Sequence, residues 1–325
     1  MHRPGADGPV TRPAGASART GAAPRASKGA GTARGGEASD APRITHPERV
    51  VYASGVTKGD VAAYYAAVAT RMLPELANRP LSLIRCPDGT EGTCFFQKHW
   101  TPMLGKGVGT IALRQKDGVE DYLYVRDLRG LLALVQMNSI EFHPWGSRID
   151  KPELPDRLVF DLDPDAGMDF PRIVAAARQV RSRLRALGLE SFVRSTGGKG
   201  LHVVAPIDRG PSWDAVKAFS ESFADAMERD APDTYVATMS KAKRVGRIFV
   251  DWLRNARGAT AVTSWSLRAR PGAPVAMPLR WEELGKLAGG NAFDITTAVA
   301  RARRLRADPW PGFATLRQKL PRQAR

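Results

Sequence analysis

The chain has 325 residues, of which 43% are hydrophobic, and it carries a formal net charge of +16. Its length suits one large domain or two small ones, and its apolar content is that of a soluble globular protein. No apolar run approaches the length of a membrane span and the N-terminus lacks the apolar core of a signal peptide, so we expect a cytoplasmic protein, monomeric or bound to a partner.

The positive charge is concentrated at the two ends of the chain. Residues 1–43 contain seven Lys or Arg against three acidic residues, and residues 301–325 contain eight against one. Basic segments of this kind suit a polyanion such as nucleic acid, because Lys and Arg displace counterions from phosphates. Solvated charge without a partner is the alternative, since GC-rich coding alone favours Arg.

The first segment of the chain has the composition of a linker. Residues 1–43 contain no aromatic residue and no Leu. Such a segment cannot bury enough apolar surface to offset the conformational entropy that it would lose on ordering. We therefore predict a disordered basic tail over residues 1–43 and one ordered domain over residues 44–325.

The chain contains two cysteines, Cys86 and Cys94. Two thiols without further Cys or His at metal-binding spacing are weak evidence for a disulfide or for a zinc site. We expect both side chains to be reduced and structural.

The ordered part begins with a predicted helix. Thr57 is a suitable N-cap for it. Apolar residues then recur at helical spacing, namely Val61, Tyr64, Tyr65 and Val68. Residues 81–96 form an extended pattern that is broken by the turn CPDGTEG. Residues 122–145 combine a short strand, a helix and a second strand that ends at His143.

The middle of the chain alternates strands and helices. A buried strand over 157–163 leads to a helix with Asp169 as its N-cap, and Gly188 closes that helix. After them come a strand, a glycine loop and a strand (SFVRSTGGKGLHVVAPI), an amphipathic helix from Trp213, and the strand GRIFVDWL. The pattern predicts the α+β class, with a sheet whose strand ends collect four polar residues: Asp161, Asp163, His202 and Asp251.

Acidic residues at the strand ends suggest a metal site. Asp161 and Asp163 point to one side of their strand, and two like charges so close are costly unless a cation lies between them. Carboxylate pairs suit Mg²⁺ or Mn²⁺. Nucleotidyl transfer with two divalent ions needs a third carboxylate, which Asp251 supplies only if the fold brings it there. Acids that meet solvent or cap the next helix are the alternative.

The loop STGGKGLH offers groups that bind phosphate. Its glycines allow close backbone approach, and Ser195, Thr196, Lys199 and His202 provide polar side chains. Backbone amides and a lysine are suitable donors for triphosphate oxygens. The loop is not a Walker A motif, because Lys199 precedes a glycine and then a strand. A plain glycine-rich turn is the alternative.

Other candidate residues have a weaker pattern. Arg254 and Arg268 could contact phosphates or lie solvated on the surface. Phe95 and Phe96 lie next to cations, as base-stacking residues do, and strand alternation should bury one of the two rings. His143 precedes Pro-Trp, a context in which histidine is usually structural.

Three motifs together resemble a known superfamily. FDLDP, STGGKGLHV and FVDWLRN followed by TSWSLR occur in the order typical of archaeo-eukaryotic primases. The wider match, from ITHPERVVY through FFQKH and EFHPW, resembles the polymerase domain of bacterial ATP-dependent DNA ligase D over nearly all of the chain after the tail. The resemblance implies the primase-polymerase catalytic fold, with central mixed or antiparallel β-sheets flanked by helices.

The resemblance also implies a role for each matching residue. The ligands of two divalent ions, Mn²⁺ or Mg²⁺, would be Asp161, Asp163 and Asp251, with His143 in the same active site. An NTP or dNTP would be bound by Ser195, Thr196, Lys199, His202, Arg254 and Arg268. DNA would be contacted at its 5′-phosphate by Lys58 and Arg49, and Phe95 or Phe96 would stack on the template.

The implied activity is template-directed nucleotidyl transfer. The resemblance predicts addition of ribo- or deoxyribonucleotides at DNA gaps and double-strand break ends during bacterial non-homologous end joining, near the nucleoid. The resemblance implies Ku and a DNA ligase domain as partners. The ligase signature is missing here, because Lys116 directly precedes Asp117, so we expect sealing to come from elsewhere. His46-Pro47 and Arg49 replace the family's frequent Asn-Pro and lysine, and Arg differs from Lys in hydrogen-bond geometry.

Two other functions are compatible with parts of the pattern. A haloacid-dehalogenase-like phosphatase would use Asp161 as nucleophile and Asp163 as acid and base. This sequence, however, lacks the downstream Gly-Asp-x-x-x-Asp segment that such a phosphatase needs. A DNA-end-binding module without catalysis would keep the fold, although a mere binder gains little from three acids that face phosphates.

Overall fold

The computed structural model describes residues 42–99, 101 and 105–321. The predicted tail over 1–43 lies almost wholly outside the described residues. The described residues form five α-helices: α1 (Lys58–Leu76), α2 (Leu128–Gln136), α3 (Phe170–Ala186), α4 (Trp213–Asp230) and α5 (Ile295–Arg304). They also form eleven strands: β1 (Leu81–Arg85), β2 (Phe95–Gln97), β3 (Val108–Gln115), β4 (Gly118–Val125), β5 (Ser139–Pro144), β6 (Arg157–Pro164), β7 (Phe192–Ser195), β8 (Leu201–Pro206), β9 (Tyr235–Val236), β10 (Ile248–Asp251) and β11 (Met277–Leu279).

A six-stranded sheet carries the strands whose ends are polar. Its strand order is β11-β7-β8-β6-β10-β9, and every neighbouring pair is antiparallel except β10 with β9, which is parallel. The sheet is therefore mixed, as predicted. β6 is buried on both faces as far as Phe160, which explains its continuous apolar run, and it becomes polar only at its end.

Helices cover the apolar face of this sheet. Phe160 alternates with Asp161 along β6, so their side chains lie on opposite faces. The ring of Phe160 contacts Phe223 of α4, with centroids 4.6 Å apart. The predicted helix after Asp169 is α3, which has Pro171 in its first turn. The opposite face of the sheet, which carries Asp161, therefore faces away from α4.

A three-stranded sheet, ordered β2-β1-β5, packs with α1 and α2. The predicted helix start at Thr57 is confirmed: its hydroxyl accepts from the backbone of Asp60, and the carboxylate of Asp60 accepts from the backbone of Thr57. The strands predicted on either side of α2 are β4 and β5. Tyr65 of α1 packs edge-on against Phe142 of β5.

Some elements were not assigned from the sequence. They include β3, which pairs with the predicted strand β4 as a separate antiparallel hairpin, and α5, which follows β11. Most side chains of β3 are half-buried or exposed, so the strand lacks a clear apolar alternation. Only Ala298 and Ala302 of α5 are buried, which leaves the helix with a weak apolar pattern.

The two cysteines form a disulfide, so the expectation of reduced thiols is wrong. Cys86 directly follows β1 and Cys94 directly precedes β2. These strands pair as a hairpin in which Arg85 lies opposite Phe95. The pairing brings the two flanking cysteines together. The sequence alone did not reveal the disulfide, because the length of the loop between the two strands does not determine how the strands pair.

Among the residues that the structure describes, no helix is long and apolar enough to cross a membrane.

A substitution at Gly200 tests the close approach of β8 to β6. A Cβ at Gly200 would lie 2.2 Å from the carbonyl oxygen of Leu162. We expect Gly200→Ala to lower the free energy of unfolding by about 1–3 kcal/mol, because the backbone must shift to relieve the overlap. Urea denaturation followed by circular dichroism measures the loss.

Gly210→Ala is the matched control, because a Cβ at Gly210 meets no atom within 4 Å. Its unfolding free energy should change by less than about 1 kcal/mol. Equal stability of the two variants would contradict the packing described for Gly200.

Candidate active site

Four polar residues form a row across the six-stranded sheet. Arg194 of β7 lies opposite His202 of β8, His202 lies opposite Asp161 of β6, and Asp161 lies opposite Asp251 of β10. Directly opposed residues in antiparallel strands share a face of the sheet. Asp163, two residues after Asp161, lies on that face as well. The structure thus brings Asp251 to the acidic pair, as the sequence analysis requires.

Cations neutralise the three carboxylates. The guanidinium of Arg254 bridges Asp161 (3.3 Å) and Asp251 (3.1 Å). Arg244 contacts Asp163 at 3.0 Å. Within residues 42–99, 101 and 105–321, no three His, Cys, Asp or Glu side chains are grouped closely enough to hold a metal ion directly. Arg254 thus lies between two of the acids, and Arg244 neutralises the third.

Burial and neighbouring charges shift the pKa values of the three acids in different directions. Burial raises the pKa of Asp251 to about 6 despite Arg254, and the charge of Asp161 adds to the shift. Burial and the charge of Asp161 also raise the pKa of Asp163. For Asp161 the effect of burial is outweighed by His202, Arg254 and further arginines, so its pKa lies below its usual range. A divalent cation would relieve the repulsion that remains.

The predicted glycine loop connects β7 to β8 beside this row. The hydroxyl of Thr196 donates to the carbonyl of Gly200 at 3.0 Å and closes the loop. The hydroxyl of Ser195 is buried and accepts from the backbone N–H of Met277 on β11. Thr196 therefore shapes the loop, whereas Ser195 anchors it to the sheet and does not line the cavity beside it.

A cavity of about 420 Å³ opens between the acidic row and the glycine loop. Its polar and charged lining comprises His143, Asp161, Asp163, Thr196, Lys199, His202, Arg254, Thr260, Arg268 and Arg270. The volume is typical of small-molecule sites. Four cationic side chains against two carboxylates favour a polyanionic ligand such as a triphosphate. Eight of the predicted site residues meet in this one cavity, whereas Asp251 does not line it.

His202 is held from behind by a buried ion pair that the sequence analysis did not identify. Arg194 donates from Nε to Nδ1 of His202 at 3.2 Å. The ring proton must then lie on Nε2, which faces Asp161 at 3.4 Å. Glu75 of α1 pairs with Arg194 and with Arg157, and these arginines outweigh its burial and lower its pKa to about 2. A lone Glu in a helix gives no sequence signal for such a role.

The segment that carries Arg268 has no regular secondary structure and is fixed by α1. Tyr64 donates its hydroxyl hydrogen to the carbonyl of Trp265 at 2.9 Å. The backbone N–H of Leu267 donates to the hydroxyl of Tyr65 at 3.0 Å. Both tyrosines are fully buried, so the first predicted helix positions an arginine two hundred residues downstream.

The two phenylalanines of β2 are both exposed, so the expectation that one ring would be buried is wrong. Their residue exposures are 42% for Phe95 and 51% for Phe96. β2 is a short edge strand, and the guanidinium of Arg85 lies over the ring of Phe95. Phe96 approaches His143 edge-on, with ring centroids 6.2 Å apart. Phe96 thus lies next to a residue that lines the cavity.

Lys58 and Arg49 form a second cationic group, outside the cavity lining. Lys58 is the first residue of α1, and its backbone N–H donates to the carbonyl of Arg49 at 2.8 Å. Burial and the charge of Arg49 lower the pKa of Lys58. Arg49 also donates to the side chain of Asn138. Two close cations at a helix N-terminus would be stabilised by an anion.

Comparisons with known proteins agree with this arrangement. A family model described as the LigD primase-polymerase domain matches residues 57–310. The multifunctional non-homologous end joining protein LigD of Pseudomonas aeruginosa is 39% identical over 95% of this chain. The bifunctional LigD of Bacillus subtilis is 28% identical over 76% of this chain. The chain spans only 36% and 40% of the length of these two relatives.

A solved structure also has the same fold. The polymerase domain of Mycobacterium tuberculosis ligase D in complex with DNA matches with a TM-score of 0.75 and 30% sequence identity. The match covers 81% of this chain and 94% of that one. The predicted α+β primase-polymerase fold is thereby confirmed.

The raised pKa of Asp251 predicts a pH-dependent effect of its removal. An acid whose pKa is raised on folding, here from 3.8 to about 6, supports folding below pH 4 and loses that contribution as the pH rises through 6. In EDTA, Asp251→Asn should therefore be more stable than the parent at pH 7.5, by on the order of 1–3 kcal/mol, and should show little difference at pH 4. Urea denaturation at both values measures the difference.

Asp225→Asn on the exposed side of α4 is the control and should show no such pH-dependent gain. A gain in stability for Asp251→Asn of the same size at pH 4 and pH 7.5 would show that ionisation of Asp251 does not destabilise the folded state.

Proposed function

The chain belongs to the LigD primase-polymerase domain family, and on this premise we propose that it is a template-directed nucleotidyltransferase. It adds ribo- or deoxyribonucleotides at DNA gaps and double-strand break ends during bacterial non-homologous end joining. The observation that carries the proposal is the cavity in which Asp161 and Asp163 face Lys199, Arg254 and Arg268. The matching M. tuberculosis polymerase domain, which was solved with DNA, supports the same reading.

The proposed reaction joins a primer to a nucleotide. The oxygen of the primer 3′-hydroxyl attacks the α-phosphorus and gives up its proton to solvent, the bond from that phosphorus to the α,β-bridging oxygen breaks, and pyrophosphate leaves. Lys199, Arg268 and Arg270 bind the triphosphate oxygens and stabilise the charge that develops on the leaving group. Thr196 and Gly198 keep the glycine loop in the shape that lets the triphosphate approach.

A divalent ion, Mn²⁺ or Mg²⁺, would be held by Asp161, Asp163 and Asp251. The donor set fits such an ion in its chemistry, because it consists of carboxylate oxygens on one face of the sheet. When bound, the metal supplies Lewis-acid stabilisation of the reacting oxygens. Its binding requires Arg254 to leave its place between Asp161 and Asp251.

The DNA would extend from the cavity over two further groups. Phe96, next to His143, would stack on the template base, and Phe95 would contact the neighbouring strand. Lys58 and Arg49 would bind the 5′-phosphate on the far side of a gap. The expectation of Ku and a ligase domain as partners stays a prediction.

The phosphatase alternative is not favoured. Its nucleophile would be Asp161, but this carboxylate is engaged by His202 and Arg254. The family match and the solved relative also point to a polymerase domain.

Primer extension tests the proposed function directly. The purified chain should extend a 5′-phosphorylated gapped duplex in the presence of Mn²⁺ and labelled nucleotides. Asp161→Asn with Asp163→Asn should lower the rate at least about a hundredfold, because the acids that hold the ions are neutralised. Denaturing gel electrophoresis measures the extension.

The exposed Asp225→Asn variant should extend primers at the parental rate, which would show that removing a negative charge away from the site does not lower the rate. Tight DNA binding without extension by the parent chain would instead favour the end-binding module without catalysis.

The cationic group at Lys58 predicts a preference for phosphorylated gaps. Lys58→Ala should reduce the ratio of affinities for 5′-phosphorylated and 5′-hydroxyl gaps by about tenfold, because one charge-assisted hydrogen bond is lost. Fluorescence anisotropy with the two duplexes measures the ratio. Lys151→Ala, at an exposed position, should leave the ratio unchanged. An unchanged ratio in Lys58→Ala would place 5′-phosphate recognition elsewhere.

A further inference from the structure

A buried glutamate that nothing above assigns lies between two of the cavity residues. Glu141 is on β5, two residues before His143, so both side chains project from the same face of that strand. It is only 5% exposed. A carboxylate in such a place is costly unless all its oxygens are hydrogen-bonded.

The partners of Glu141 satisfy that requirement. One carboxylate oxygen, Oε2, accepts from Nε2 of His143 at 2.9 Å and from Nε of Arg268 at 2.8 Å. The other, Oε1, accepts from the backbone N–H of Ala269 at 2.8 Å. Burial raises the pKa of Glu141, but His143 and Arg268 outweigh burial and bring the pKa to about 2, so the side chain is ionised at neutral pH.

This arrangement fixes the histidine ring. An ionised carboxylate only accepts hydrogen bonds, so the ring proton of neutral His143 must lie on Nε2. Burial lowers the pKa of His143, which keeps the ring neutral. Nδ1 is then the nitrogen that can accept a hydrogen bond from a ligand in the cavity.

The same carboxylate fixes the arginine. Arg268 uses Nε for Glu141 and Nη1 for the carbonyl of Thr196 in the glycine loop. Its own carbonyl accepts from the hydroxyl of Tyr52 at 2.9 Å. The guanidinium plane is thus set by Glu141 and by the glycine loop, while Tyr52 holds the backbone, and Nη2 is the terminal nitrogen that neither side-chain bond uses.

We propose that Glu141 is a positioning residue that holds His143 and Arg268 as one preorganised unit for the triphosphate of the incoming nucleotide. The proposal rests on the proposed nucleotidyltransferase function. A long arginine side chain that is already ordered loses less conformational freedom when it binds a ligand. Glu141 would thereby act on nucleotide affinity through Arg268, without touching the nucleotide itself.

A double-mutant cycle separates this role from a merely structural one. Glu141→Gln removes the charge at nearly constant volume, and Arg268→Met removes the guanidinium. We expect Glu141→Gln to raise KM for the nucleotide about tenfold while kcat stays within about threefold. The double variant should be no worse than Arg268→Met alone, because Glu141 has then lost the residue through which it acts.

Glu283→Gln is the matched control. Glu283 pairs with both terminal nitrogens of Arg301 on α5, outside the cavity lining, and its loss should leave KM for the nucleotide unchanged. Multiplicative effects of the Glu141 and Arg268 variants, or an unchanged KM in Glu141→Gln, would overturn the proposal.

Glu141→Asp keeps the proposal testable if Glu141→Gln does not fold. The shorter side chain retains the charge but cannot reach both partners, so KM should still rise, whereas restoration of the parental KM would show that charge alone matters and would overturn the proposal. Calorimetric titration with ATP and Mn²⁺ in the presence of gapped duplex gives a second readout. A parent chain that binds ATP without extending primers would refute the proposed function, and the ATP affinities of the variants would then still decide the role of Glu141.

Discussion

Electrostatic repulsion among Asp161, Asp163 and Asp251 is the constraint on which the site depends. The sheet register places Asp161 directly opposite Asp251, and strand alternation puts Asp163 on the same face. Such a cluster is tolerated only where cations lie within reach, and Arg254 and Arg244 supply them. Burial still raises the pKa of Asp251 to about 6 despite Arg254, so its ionised form is costly in the fold as it stands.

Two buried glutamates transmit order from the rest of the domain to this face. Glu75 at the end of α1 holds Arg194, which determines the ring proton of His202, and Glu141 on β5 holds Arg268. Each also accepts a backbone N–H from the irregular segment between β10 and β11. The carboxylates replace the hydrogen bonds that a regular strand would have provided there.

The parts of the site that depend on local sequence were predicted from the residue pattern, the convergence of distant residues such as Asp251 was expected only from the resemblance, and several supporting tertiary contacts were not predicted. The strand that ends at Asp161 and the glycine loop at Thr196 follow from apolar runs and turn residues, which act over a few positions. The burial of Ser195 depends on β11, and the role of Glu141 depends on Arg268, more than a hundred residues away. The disulfide likewise follows from strand pairing, which single residues do not encode.

The contacts of Arg254 with the acids also bear on how metal and nucleotide would bind in the proposed reaction. Arg254 contacts two carboxylates and lines the cavity, so the same guanidinium can neutralise either the acids or a triphosphate. A divalent ion bound by the acids would release Arg254 for the nucleotide, and a bound triphosphate would draw Arg254 away from the acids. Metal and nucleotide should therefore favour each other's binding, because each removes the competing partner of the other. Arg268 does not share this ambiguity, since its anionic partner Glu141 lies outside the acidic row.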